Sequence, residues 1–174
     1  MKRIIMCVTG IVLVLVLSGC QLFNNAAKVT ETEPYSFGGI TIDMPVGCQY
    51  TTQDDGIVTA TYGEYPAIEG YYVFTKFDGK VDLITREKLQ SDYMAMFVPE
   101  DYDTPEIKEF TETETDGYTK QIVRYDVVKD GITVNYIMDF IYLDDSMIML
   151  SLGSPSMYDI SGIEAVSDSV RVNR

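Results

Sequence analysis

Residues 121–152 read QIVRYDVVKDGITVNYIMDFIYLDDSMIMLSL, and the fold turns on this stretch. Two long runs of β-branched and aromatic residues are separated by Asp130-Gly131, a pair that accommodates the positive φ values of a tight hairpin turn. In the second run Ile132, Val134, Tyr136, Met138, Phe140 and Tyr142 fall on one face at the two-residue period of a strand. Thr133, Asn135 and Asp139 fall on the other face, so the pattern predicts antiparallel strands with one face against a core. Asp144-Asp145-Ser146 then turns the chain into Met147–Leu152.

Working outward, Asp116-Gly117 joins a strand over Glu106–Thr113 to the one that begins at Tyr118, which makes a four-stranded meander. Further upstream Asp55-Gly56 and Asp78-Gly79 punctuate the chain, and strands are predicted at Tyr35–Ile42, Ile57–Tyr62 and Tyr71–Phe77. Tyr71-Tyr72-Val73-Phe74 and Met147-Ile148-Met149-Leu150 are apolar on both faces, so both faces of the sheet need a cover. Two helices are predicted to supply it. Thr85 caps the first, with Glu87 in its first turn, Leu89, Tyr93, Met96 and Phe97 as its stripe and Pro99 as its stop. Asp159 caps the second, whose stripe is Ile160, Ile163 and Val166, and Val170–Val172 leave it as an extended tail. The expected fold is α+β, an antiparallel twisted sheet with helices covering both faces.

The order of elements resembles the PsbP-like α/β/α sandwich, the fold of the photosystem oxygen-evolving extrinsic subunit and of many small bacterial lipoproteins. The residues that carry the resemblance are Tyr35-Ser36-Phe37 leading to Ile40-Thr41-Ile42-Asp43-Met44-Pro45-Val46-Gly47, a strand closed by Pro-x-Gly, followed by a central helix, the meander and a C-terminal helix. The next position, often tryptophan in such proteins, is Cys48 here. The resemblance implies a binding or accessory role without catalytic residues, and it covers most of residues 35–172.

The first residues carry an address. Met1-Lys2-Arg3, the apolar run Ile4–Leu17 and the small residues before Cys20 have the layout of a secretory signal, too short to span a bilayer core of about 20 apolar residues. Leu17-Ser18-Gly19-Cys20 resembles the lipobox of bacterial lipoproteins, which implies cleavage between Gly19 and Cys20 and lipid on the Cys20 thiol. Two acyl chains make a stable anchor where one is marginal. The division is then 1–19 signal peptide, 20–34 lipidated cysteine and flexible tether, and 35–174 a single α+β domain. The tether is small, polar and acidic, with a typical reach of about 20 Å. The expected location is the cell membrane, lipid-anchored on its extracytoplasmic face.

Composition narrows the chemistry. The chain has 27 acidic and 13 basic residues, a net charge of -14, and removal of Lys2 and Arg3 with the signal takes it to -16. Such a body is repelled by nucleic acid and by anionic headgroups. The absence of histidine removes Ser-His-Asp and Cys-His catalysis and the usual nitrogen ligand of zinc, copper or haem. Cys48 is the cysteine left after Cys7 and Cys20, which excludes an intrachain disulfide, and it reads as a small buried hydrophobe. Three functions remain. The first is a non-catalytic binding or accessory module, with no catalytic residue, no cofactor and no metal, for an envelope protein or small ligand. The second is a calcium site in the acidic loop Pro99-Glu100-Asp101-Tyr102-Asp103-Thr104-Pro105-Glu106. The third is a carboxylate-based hydrolase. A carrier version of the first predicts a deep apolar pocket, and an adaptor version an exposed tyrosine-rich patch.

Overall fold

The computed structural model describes residues 31–64, 68–98, 102–115, 117–129, 131–156 and 160–173. Their strands form two sheets. The larger has seven antiparallel strands in the order β3-β4-β5-β9-β8-β7-β6, built from Gln49–Thr52 (β3), Val58–Tyr62 (β4), Gly70–Asp78 (β5), Ile107–Thr115 (β6), Tyr118–Lys129 (β7), Ile132–Tyr142 (β8) and Ser146–Pro155 (β9). The smaller joins Thr32–Phe37 (β1), Ile40–Pro45 (β2) and Arg171–Val172 (β10), with β2 in the middle. The predicted meander is present as β6-β7-β8-β9. All four glycines of the Asp-Gly pairs have positive φ, although Gly79 ends β5 instead of turning a hairpin.

The large sheet is buried on both faces, more than the alternation of β8 suggested. On one face lie Val123, Tyr125, Tyr136, Met138, Phe140 and Met149. On the other, Ile137, Ile141, Ile148, Leu150, Tyr72 and Phe74 meet Ile40, Ile42 and Met44 of the hairpin and Ile163 and Val166 of a C-terminal helix. β8 therefore buries its supposed polar side as well, and Asp139 is fully buried.

The cover is richer in sheet than the two-helix expectation. On the first face it is a short helical segment (α1) that runs as an α turn at Arg86–Lys88, a wide π turn at Leu89–Tyr93 and a 3₁₀ turn at Met94–Phe97. On the second it is the β1–β2 hairpin with the eight-residue helix Ser161–Asp168 (α2). Thr85 caps α1 as expected, its hydroxyl accepting the Lys88 N–H. The Met94 N–H reaches back to the Leu89 carbonyl, five residues away, and this extra residue in the turn rotates the stripe. Met94 is thereby buried and Met96 only half-buried, the reverse of the reading at ideal helical period. Asp159, the expected cap of α2, lies outside the described residues.

The N-terminal region also departs from expectation. Tyr35–Ile42 is a hairpin and not one strand, because Gly38 and Gly39 adopt φ of 59° and 104°, a reversal that a side chain would strain. β1 starts at Thr32, so ordered structure reaches three residues into the segment read as tether. The extended tail pairs with β2 as β10 and is held by Arg171, whose guanidinium donates to both oxygens of Asp43. Close packing also fixes Gly153: a Cβ there would lie 2.8 Å from the Tyr136 ring. Among the described residues no helix is long and apolar enough to cross a membrane.

Candidate functional site

Three turns converge at one end of the large sheet and enclose an open cleft of about 420 Å³. The β6–β7 turn supplies Glu114, Thr115, Gly117, Tyr118 and Thr119, the end of β8 supplies Tyr142, Leu143 and Asp144, and the segment after β5 supplies Lys80, Val81, Asp82 and Leu83. Val81 and Leu83 are among the large apolar side chains left in solvent, at 36% and 48% exposure. Asp82, Glu114 and Asp144 are exposed as well.

The Lys80–Leu83 segment is pinned at both ends, which gives the cleft a fixed wall. The Gly79 N–H donates to the Asp145 carbonyl at 2.7 Å. At the other end fully buried Gln121 donates to the Ile84 carbonyl (3.0 Å) and to Glu112 (2.7 Å), and accepts from the Tyr142 hydroxyl (2.9 Å). That hydroxyl also accepts the Ile84 N–H at 3.4 Å. Burial pushes the Tyr142 phenol up to about 12, so it stays a neutral donor.

The cleft's charges are unengaged. Among the described side chains, Lys76, Lys88, Lys108, Lys120, Arg124 and Arg171 pair with carboxylates, and Arg86 donates to the Ile107 carbonyl. Lys80 is the described basic side chain with no such partner, although three carboxylates share its cleft.

A second polar cluster lies under α2. Lys120 Nζ sits 3.0 Å from Asp139 Oδ2 and donates to the Ser167 carbonyl (2.5 Å), while the Ser167 hydroxyl approaches both Asp139 oxygens (3.0 and 2.8 Å). A serine, a lysine and a carboxylate in contact have the ingredients of a nucleophile and its base. Here Asp139 is 0% and Ser167 1% exposed, so the trio works as a clamp joining α2 to β7 and β8. Burial raises the Asp139 pKa, opposed by the Lys120 charge and the Ser167 hydrogen bond. The pair was findable by counting. The Asp130-Gly131 turn sets Ile122 opposite Asp139 and Lys120 opposite Ile141, which makes Lys120 and Asp139 diagonal neighbours on one face.

Other predicted site residues are dispersed. Gly19, Cys20 and the first part of the tether lie outside the described residues, as do Pro99, Glu100 and Asp101 of the acidic loop. Asp103 and Glu106 of that loop are exposed, and among the described residues no three metal-ligating side chains converge. Cys48 is a half-buried free thiol beside the second core, pushed up to about 12 by burial and then by Glu33. Nearby, Tyr50 stacks on Tyr35 with ring centroids 4.5 Å apart. Among the described residues Tyr50 is the exposed tyrosine, at 36%, and Tyr35 is half-buried, so this pair does not form the tyrosine-rich patch that the adaptor version expects.

No family model and no curated protein matches the sequence. Solved structures do match. The cyanobacterial PsbP (CyanoP) of Synechocystis sp. PCC 6803 superposes with a TM-score of 0.65 at 14% identity, over 88% of this chain and 99% of that one. The fold is PsbP-like. The Ran-binding protein Mog1p of Saccharomyces cerevisiae also matches the PsbP-like domain, with a TM-score of 0.53 at 12% identity, over 82% of this chain and 95% of that one. A Bacteroides thetaiotaomicron VPI-5482 protein matches at 0.52 and 9% identity, over 78% of this chain but 46% of its own length. At these identities the likeness establishes the fold alone.

Proposed function

We propose that the protein is a membrane-anchored extracytoplasmic lipoprotein whose PsbP-like domain is a non-catalytic binding or accessory module for an envelope partner. The observation that carries this reading is the open cleft, polar, rigidly walled and lined by charges that the domain itself leaves unused. The groups closest to a catalytic trio are buried under α2, out of reach of any substrate. Of the adaptor and carrier versions, the adaptor fits better, because Leu89, Met94 and Phe97 pack into the core on the helical face and the cleft is open and mostly polar instead of enclosed and apolar. That a protein of the same fold, Mog1p, is described as Ran-binding is in keeping with protein recognition by this scaffold.

The test begins with the anchor. Wild type and Cys20→Ala are compared by membrane fractionation and intact mass. Lipid mass on Cys20, with the variant released or uncut, is the expected result, and proximity labelling at the membrane surface then follows. Equal behaviour without lipid overturns the lipoprotein reading.

A further inference from the structure

The first described residues lie at the end of β1 opposite the cleft. Glu31 accepts the Val46 N–H, and β1 runs from there towards Gly38 and Gly39. At that far end Gly39 lies beside Leu143, which lines the cleft. Six strand residues at about 3.3 Å each put roughly 20 Å between the two poles. A domain held through residues before Glu31 therefore presents the cleft away from its point of attachment.

The cleft's chemistry is selective. Among the described lining residues Asp82, Glu114 and Asp144 outnumber Lys80 three to one, and Val81 and Leu83 are exposed beside Asp82 in sequence. Anionic ligands are repelled, both locally and by the whole chain at -14. A bare divalent cation is poorly served, since among the described residues the carboxylates do not converge. Spread carboxylates around two apolar side chains suit instead an extended group with several separated positive charges and aliphatic stems.

We propose that this cleft is the docking site for a basic segment of the partner protein. Val81 and Leu83 take the aliphatic part of its lysine or arginine side chains, and Asp82, Glu114 and Asp144 face their cationic ends. Lys80 opposes misplaced charges and so sets the register. The inference rests on the accessory-module reading and names the chemistry of its partner.

The test uses the full chain in phosphatidylcholine nanodiscs, with empty nanodiscs as the blank, and fluorescein-labelled hexa-arginine followed by anisotropy at low salt. The triple variant Asp82→Asn/Glu114→Gln/Asp144→Asn is expected to weaken binding about tenfold, three exposed charge contacts of two- to threefold each. A control triple of exposed carboxylates elsewhere, Asp54→Asn/Glu87→Gln/Asp103→Asn, is expected to change it less than about threefold. Lys80→Glu is expected to tighten it about threefold, a gain that misfolding cannot imitate. Equal loss in the two triples, no loss in the cleft triple, or no gain in Lys80→Glu overturns the proposal. Such a failure leaves the anchor result standing, whereas an unlipidated Cys20 removes the lipoprotein reading and leaves the peptide result intact.

Discussion

Replacing Lys120 by methionine isolates the buried clamp. The side chain is 11% exposed and its ammonium faces an Asp139 carboxylate that has no access to water. In Lys120→Met the carboxylate loses its counter-charge, and its already raised pKa rises further. A raised acid contributes stability that is fully present below its unfolded pKa and is lost as pH rises through the folded pKa. The penalty is capped by simply protonating Asp139. At pH 7, starting from an ordinary value of 3.8, that ceiling is about 4 kcal/mol, and at pH 5 about 2 kcal/mol. At about 3 °C per kcal/mol, Tm falls by at most about 12 °C at pH 7 and at most about 6 °C at pH 5, less whatever the raised wild-type carboxyl already costs. Lys120→Met/Asp139→Leu, which removes both charges, recovers to within about 1 kcal/mol of wild type. Thermal unfolding of the three proteins across this pH range is the assay. A penalty independent of pH, or a double variant as weak as the single, would refute the clamp as an ion pair whose charge is held at a cost.

Three further outcomes are expected. Among the described residues the buried Tyr136 hydroxyl has no partner, so Tyr136→Phe raises stability by up to about 1 kcal/mol in urea unfolding, whereas Gly153→Ala, which drives a methyl into that ring, lowers it by about 1–3 kcal/mol. Tyr142→Phe removes the hydroxyl that accepts the Ile84 N–H, and hydrogen exchange at Ile84 accelerates about tenfold while the β8–β9 ladder stays protected. Cys48, with its thiol pushed up to about 12, alkylates at pH 8 on the order of a thousandfold more slowly than a free cysteine, as read by peptide mass mapping; a rate near the free thiol would mean that the site opens readily.

The meander was legible because the apolar residues of β8 recur at the two-residue period of a strand and two of its three turns carry Asp-Gly, signals that rest on local geometry. The β1–β2 hairpin was hidden because Phe37-Gly38-Gly39-Ile40 keeps an apolar beat on both sides of the reversal. β3 was missed for the opposite reason, since Gln49-Tyr50-Thr51-Thr52 is exposed throughout and shows no buried face. The choice between Met94 and Met96 turned on one extra residue in a helical turn, which no periodicity reports. Asp139 looked solvated because a charge on a strand usually is, and its partners Lys120 and Ser167 stand 19 and 28 residues away in sequence. The cleft has no local signature at all. It arises where turns from three distant parts of the chain meet, and its residues are each ordinary loop residues until the register brings them together.

The small sheet sets an order of events for the newborn chain. β2 lies between β1, its immediate predecessor, and β10, made about 130 residues later, and the Arg171–Asp43 bridge spans 128 residues. The first hairpin therefore has to wait, half-paired, while the entire meander is synthesised beside it. Closing so long a loop is slow compared with zipping neighbouring strands. Whatever helper or compartment meets this protein during that interval meets an open edge at β2, which is sealed when residues 171 and 172 arrive.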